Sequence, residues 1–147
     1  MTRAKTLWAL AWAMGVVDVA IGLFHVLGGN AAIPGATDAG PTVDSMGRFF
    51  GAIFVGYGLA WIWAARQKPI PAATVRLLTG VFLLGALGRV LSIAVEGWPH
   101  GFQTGLMVLE FALSALYFWL ADADEKAAAD ADEKADEKAA EKAAEPA

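Results

Sequence analysis

Four long stretches of apolar residues alternate with short segments rich in Gly, Pro and charged side chains. The apolar stretches cover about 7–28, 46–65, 74–95 and 102–121. Crossing the roughly 30 Å hydrocarbon core of a bilayer takes about 20 apolar residues of helix, and a helix without a polar face lies in lipid or in a protein core. The pattern therefore predicts an all-α fold, a polytopic transmembrane bundle of four helices.

The segments between the apolar stretches predict the turns and the topology. The segment 29–45 contains several Gly and Pro residues, which interrupt helices, and we expect it to be a loop. Pro69 and Pro71 separate the second stretch from the third, and the polar segment 96–101 separates the third from the fourth. Because the last two connections are too short for a crossover, neighbouring helices are expected to pack antiparallel.

Basic residues are distributed unevenly between the two ends of the predicted bundle. Five of them flank the first helix or the connection after the second: Arg3, Lys5, Arg66, Lys68 and Arg76. The segments 29–45 and 96–101 contain no Lys or Arg, although Arg48 lies just inside the second helix at that end. Since short cytoplasmic loops carry the excess of Lys and Arg, both termini are predicted to be cytoplasmic.

Composition divides the chain into two parts. The chain is 57% hydrophobic and only 18% charged, whereas soluble domains are about 25% charged. Residues 122–147 contain ten acidic residues and four lysines, a net charge of −6, so residues 1–121 carry +2. We expect a transmembrane domain over 1–121. The acidic Ala/Glu/Lys-rich segment 122–147 has no side chain able to build a core, and it is predicted to be a solvated, partly helical cytoplasmic tail or a docking segment for a basic partner.

Several polar residues fall inside the predicted helices, where a charge costs about 2.5–3.5 kcal/mol on insertion scales. They lie in the middle or outer half of the bilayer: Asp18, His25, Arg48, Arg89, Ser92 and Glu110. Arg89 and Glu110 are the simplest ion pair, and Asp18 is expected to share Arg89 or to reach Arg48. Two readings stay open: buried ion pairs that set helix register, or an outward-facing site for a small molecule, a lipid headgroup or a proton.

Small residues in the helices predict close packing between them. Gly47 and Gly51 have small-xxx-small spacing in the second helix, and Gly85 and Gly88 lie on the third. Such residues allow helix backbones to approach each other in a membrane, where the hydrophobic effect does not drive association. We therefore expect these four glycines to mark helix contacts, either within the chain or with another membrane protein.

Motifs for catalysis, nucleotide binding and metal binding are missing from the sequence. There is no phosphate-binding Gly-rich loop, no nucleophile elbow and no cysteine. Within the predicted helices, no His/Glu pair has the i,i+3 or i,i+4 spacing of a helical metal site. Basic residues are few and dispersed, which is unlike a nucleic-acid-binding surface. We therefore expect neither an enzyme nor a cofactor, and no nucleic-acid partner.

Several short motifs lie in the last three helices and the turn between the third and the fourth: Arg48-Phe49-Phe50-Gly51, Gly56 and Gly58, Gly88-Arg89 with Ser92, Gly97-Trp98-Pro99, and Glu110. Over roughly 44–121 the chain therefore resembles the DUF4345 family of small bacterial four-helix membrane proteins. The resemblance implies a four-helix membrane fold in the bacterial inner membrane. It implies no activity, because the family is named for an unknown function.

These observations lead to two functional hypotheses. The first is a structural or accessory subunit that packs in the bilayer against a larger membrane complex, or against further copies of itself. Its basis is the small size, the glycine faces and the missing catalytic motifs. The alternative is a protein that binds or transports a small molecule, a lipid or a proton at the buried polar residues.

Overall fold

A computed structural model describes residues 3–144, with side chains described through 123 and at 125, 126, 129 and 133–136. The described chain folds into four α-helices, with a short 3₁₀ helix at Gly29–Ala32. They are α1 (Arg3–Gly28), α2 (Gly40–Ala65), α3 (Ala72–Glu96) and α4 (Gly101–Ala144). All four are long and apolar enough to cross a membrane, and residues 3–144 contain no strand. The predicted all-α fold with four candidate spans is confirmed.

Two helix boundaries differ from those expected from the apolar pattern. α2 begins at Gly40 rather than near Met46, because Pro41 lies in the first turn, where a helix needs no backbone N–H from it. α4 continues through the acidic segment to Ala144, as Ala, Glu and Lys favour helix. The backbone is therefore continuous at 121–122, and only the composition changes there.

α1 and α2 form the closest pair of helices, and glycines on both sides make the contact. A Cβ added to Gly58 would lie 2.7 Å from the carbonyl oxygen of Gly15, and one added to Gly15 would lie 2.8 Å from that of Gly58. Seven residues later in α1 and seven residues earlier in α2, Gly22 and Gly51 make the same reciprocal contact, at 2.6 and 2.9 Å. No other residue type fits at these four positions while the two backbones keep this distance.

The buried core lies at one end of the bundle, where α1 begins and where the turn joins α2 to α3. We call this end the basic end, because Lys5, Arg66 and Lys68 lie there. The members of the core come from all four helices and include Leu7, Trp61, Val75, Tyr117 and Leu120, each at most 2% exposed. The Tyr117 hydroxyl donates to the carbonyl of Leu10 at 2.8 Å and so joins α4 to α1.

The opposite end, which we call the loop end, is packed less completely. The Tyr57 hydroxyl donates to the carbonyl of Leu78 at 2.7 Å and joins α2 to α3 at the edge of the core. Beyond it the α1–α2 hairpin and the α3–α4 hairpin enclose cavities instead of a continuous core. Large apolar side chains cover the outside of the bundle, and no more than 28% of any candidate span is buried within the chain, as expected of helices that face lipid.

The glycine contact predicts a sharp difference between two neighbouring positions of α2. Gly58→Ala would push a methyl group into the α1 backbone, and we expect it to lower the free energy of unfolding by about 1–3 kcal/mol. Gly56→Ala is the matched control, since a Cβ there meets nothing within 4 Å, and the better helix propensity of Ala should leave stability unchanged or raise it by up to about 1 kcal/mol. Unfolding in detergent micelles by heat or SDS measures both. Equal losses would contradict the assigned contact.

Candidate functional site: a polar cavity between two hairpins

A cavity of about 290 Å³ lies between the two hairpins and contains four of the six predicted polar residues. α1 contributes Asp18 and His25, α3 contributes Arg89, and α4 contributes Glu110. The remaining wall is apolar and largely aromatic, with Phe50, Phe54 and Phe82 among its side chains. The cavity therefore combines a charged lining with a surface suited to a lipophilic molecule.

Arg89 and Glu110 form the ion pair of this cavity. Nε of Arg89 lies 3.1 and 3.0 Å from the two carboxylate oxygens of Glu110. Nη1 of Arg89 donates a third hydrogen bond to Oε1 of Gln103, at 2.8 Å. The Glu110 side chain is only 13% exposed, so the guanidinium compensates a carboxylate that is largely removed from solvent. Gln103 also lies on α4, two turns from Glu110, and was not among the polar residues predicted for this site.

Asp18 lines the same cavity without joining the ion pair. The residue is 3% exposed, and its Oδ2 atom has no hydrogen-bond partner among the described residues. The expectation that Asp18 shares Arg89 or reaches Arg48 is wrong for the described side chains, whose ion pairs leave Asp18 out. A buried carboxylate without a partner is costly, because its lost hydration is not replaced. Asp18 is therefore the group most available to a bound molecule.

A second cavity, of about 720 Å³, adjoins the first between α2 and α3. The two share Arg89 and Glu110 as well as three phenylalanines of the wall. The ring of Tyr57 stacks between those of Phe54 and Phe82, with centroids 5.9 and 6.4 Å away. Ser92 lines this cavity rather than the first, together with Gly85 and Gly88. All three of these α3 residues are exposed, so the cavity opens between α2 and α3 toward the surface that faces lipid.

A small pocket of about 80 Å³ connects the same arginine with the α3–α4 turn. It is lined by Arg89 and Ser92 from α3, Pro99 from the turn, and Gln103 from α4. Arg89 thus borders all three spaces, from the pocket at the α3–α4 turn to the cavity that contains Asp18.

Arg48 lies apart from this cluster, which corrects the sequence prediction. Its Nε pairs with Oδ2 of Asp44 at 2.7 Å, and its Nη1 donates to the carbonyls of Val26 and Leu27 at 2.6 and 3.3 Å. The last carbonyls of a helix have no partner within it, so Arg48 caps the C-terminus of α1. The i,i+4 spacing from Asp44 could have revealed this pair.

Asp44 extends the cap into the chain after α1. Its Oδ1 accepts a hydrogen bond from the backbone N–H of Asn30 at 2.9 Å. Gly29 has a φ of +54°, and a Cβ at this position would collide with the Asp44 carboxylate. The group formed by Asp44, Arg48 and the end of α1 therefore fixes how the α1–α2 loop leaves the bundle.

The structure places the four glycines that were predicted to mark helix contacts in different surroundings. Gly51 makes the close contact with α1, whereas a Cβ at Gly47 would meet the Ile33 side chain at 3.0 Å. A Cβ at Gly85 or Gly88 would meet no described atom within 4 Å, so within this chain these residues line the open cavity instead of contacting a helix. The contacts that do form depend on Gly15, Gly22 and Gly58. The sequence of one helix does not predict which residue of the other helix each of these glycines contacts.

The chain matches the model of a protein family. A family model described as "Domain of unknown function (DUF4345)" matches residues 6–121. The match includes α1, which lies outside the motifs of the resemblance over 44–121, and it ends where the acidic segment begins. No curated protein and no solved structure matches the chain.

A double-mutant cycle tests the Arg89–Glu110 pair. Arg89→Met leaves the Glu110 carboxylate without its counter-ion and should destabilise the protein. Once Glu110→Gln has removed that charge, Arg89→Met should cost less, giving a coupling energy of about 0.5–3 kcal/mol. Ser92→Ala combined with Arg89→Met is the control, because Ser92 borders the same space but is outside the ion pair. Unfolding in detergent measures each free energy, and equal coupling in both cycles would argue against the pair.

Proposed function

The chain belongs to the DUF4345 family, and we propose that it binds a lipophilic small molecule with a polar head between its two hairpins, within the bilayer. One observation carries the proposal: two adjoining cavities have aromatic and aliphatic walls and converge on Arg89 and Glu110. Small-molecule sites typically combine a mostly apolar pocket with a few polar groups that orient the ligand.

The charges of the lining favour a particular kind of head. Arg89 is already used by Glu110 and Gln103, so it has limited capacity for an anion. Asp18 adds a carboxylate whose Oδ2 is buried without a described partner. The three charged groups together have a formal charge of −1. A head that is cationic or donates a hydrogen bond would satisfy Asp18, whereas an anionic head would be repelled.

Access from the membrane is consistent with this proposal. The larger cavity opens between α2 and α3, and its rim contains the exposed glycines Gly85 and Gly88. Because glycine has no side chain, the rim leaves room for an alkyl chain or a ring to pass. A molecule dissolved in the bilayer would reach the polar end without crossing the aqueous phase.

An accessory subunit of a larger membrane complex is the second candidate, and the surface of α3 favours it. Only 17% of the apolar stretch of α3 is buried in the chain, the lowest share of the four helices. Exposed glycines on that helix would allow a helix of another protein or of a second copy to approach closely. Purification in mild detergent distinguishes this candidate: a monomer without co-purifying protein would argue against it.

We also propose that the protein resides in the bacterial inner membrane with both termini in the cytoplasm. The basis is the positive-inside bias of Arg3, Lys5, Arg66, Lys68 and Arg76.

Binding of three probes with the same alkyl chain tests the ligand site. We expect dodecylamine to bind more tightly than dodecanol, and dodecanoate most weakly, in native mass spectrometry of the detergent-solubilised protein. Asp18→Asn should reduce the preference for the amine over the alcohol by about tenfold, since it removes a charge-assisted hydrogen bond. Equal binding of all three probes would contradict the proposal.

Filling the rim of the cavity tests its position. Gly88→Leu should weaken binding of dodecylamine, because the new side chain would occupy the space at the rim. Gly105→Leu is the matched control: it also has no neighbour within 4 Å of a new Cβ, and it does not line the cavity. Similar binding by both variants would place the ligand elsewhere.

Single cysteines test the orientation, and the natural chain has none to remove. Thr37→Cys in the α1–α2 loop should react with a membrane-impermeant maleimide on intact spheroplasts. Lys68→Cys in the α2–α3 turn should react only after permeabilisation. The reverse pattern would invert the topology.

A further inference from the structure

A cavity of about 340 Å³ lies at the basic end, away from the site between the hairpins. Its walls are the first turns of α1 and the turn that joins α2 to α3. Lys5 and Trp8 contribute from α1, and Gln67, Lys68 and Ile70 contribute from the turn. Two segments distant in sequence thus place two lysines on one concave surface.

The electrostatics of this cavity favour an anion. Its lining includes two ammonium groups and no carboxylate, and neither lysine has an ion-pair partner among the described side chains. The carboxylates of Asp122 and Glu125 at the same end are held by Arg76, at 2.7 and 2.5 Å. The cavity also borders the first described turn of α1, and the positive end of a helix dipole favours negative charge.

A neutral donor accompanies the lysines. Nε2 of Gln67 is buried and has no hydrogen-bond partner among the described residues. An amide nitrogen can only donate, so an acceptor atom in the cavity would satisfy it. Two charged donors and one neutral donor around a single space are the chemistry that recognises phosphate oxygens.

The surroundings distinguish a lipid phosphate from a phosphate in solution. Leu7 is 1% exposed and Ile70 is 9% exposed, so the floor of the cavity is apolar. Trp8 is 45% exposed, and tryptophan is enriched at the depth of lipid headgroups. The cavity lies where candidate spans begin and end, which is the level of the headgroups in a bilayer.

From these observations we infer that Lys5, Gln67 and Lys68 bind the phosphate of an anionic phospholipid. The headgroup occupies the cavity, and the acyl chains extend along the apolar surface beside Trp8. The site is separate from the proposed ligand cavity and does not depend on it.

Exchange of lipids on the delipidated full-length protein tests this inference. In native mass spectrometry we expect more binding of dioleoyl phosphatidylglycerol than of dioleoyl phosphatidylcholine. Lys5→Gln and Lys68→Gln should each reduce this preference about fivefold, the factor that corresponds to about 1 kcal/mol per basic residue near a membrane surface. Gln67→Leu should reduce binding of phosphatidylglycerol without any change in charge.

Arg66→Gln is the matched control, because it removes one positive charge from the same turn but does not line the cavity. We expect this variant to retain most of the preference. An equal loss in Arg66→Gln would show general attraction to the basic end and would overturn the site. Loss of bound phosphatidylglycerol on addition of equimolar inorganic phosphate would assign the cavity to a soluble anion and would overturn the lipid assignment. Thermal unfolding in phosphatidylcholine checks that all variants are folded, which is expected because Lys5 and Lys68 are exposed.

Discussion

The contact between the backbones of α1 and α2 is the constraint on which the rest of the bundle depends. In a bilayer, apolar side chains gain little from leaving lipid, so helices associate through close packing and hydrogen bonds. Gly15 with Gly58, and Gly22 with Gly51, provide that packing at two places, about two turns apart along the pair. Among the described residues, the glycines of the α3–α4 hairpin make no comparable contact with α1 and α2. It is held mainly by the core around Trp61 and Tyr117 at the basic end.

This uneven packing explains where the polar groups lie. The half of the bundle with the core is closed by side chains that reach across both hairpins. The other half leaves space between the hairpins, and Asp18, Arg89 and Glu110 point into it. A membrane protein can keep such groups only if they are paired, reach water or contact a ligand. Arg89 and Glu110 satisfy each other, and Asp18 is the exception that gives the cavity its chemical character.

The basic residues at the two ends of the bundle also differ in the partners that they have. At the loop end, Arg48 binds Asp44 and the carbonyls at the end of α1, so its charge stabilises the fold and is not free for a ligand. At the basic end, Arg76 binds the start of the acidic segment, while Lys5 and Lys68 face a cavity without carboxylates. Residues of one type therefore have different roles, because each role depends on the partners nearby.

The sequence by itself determined the four helices, their antiparallel order and the match in depth of Arg89 and Glu110, because these follow from the length of apolar runs and the 1.5 Å rise per residue. The lengths of α2 and α4 were underestimated, however, because Pro41 is compatible with the first turn of α2 and the acidic segment is compatible with the helix of α4. Only the tertiary structure decided how each helix is rotated about its axis. That rotation brings Gly58 rather than Gly47 to α1, turns Gly85 and Gly88 toward a cavity, and removes Arg48 from the cluster. An apolar helix in lipid has no polar face to fix its rotation, so the packing of its neighbours must do so.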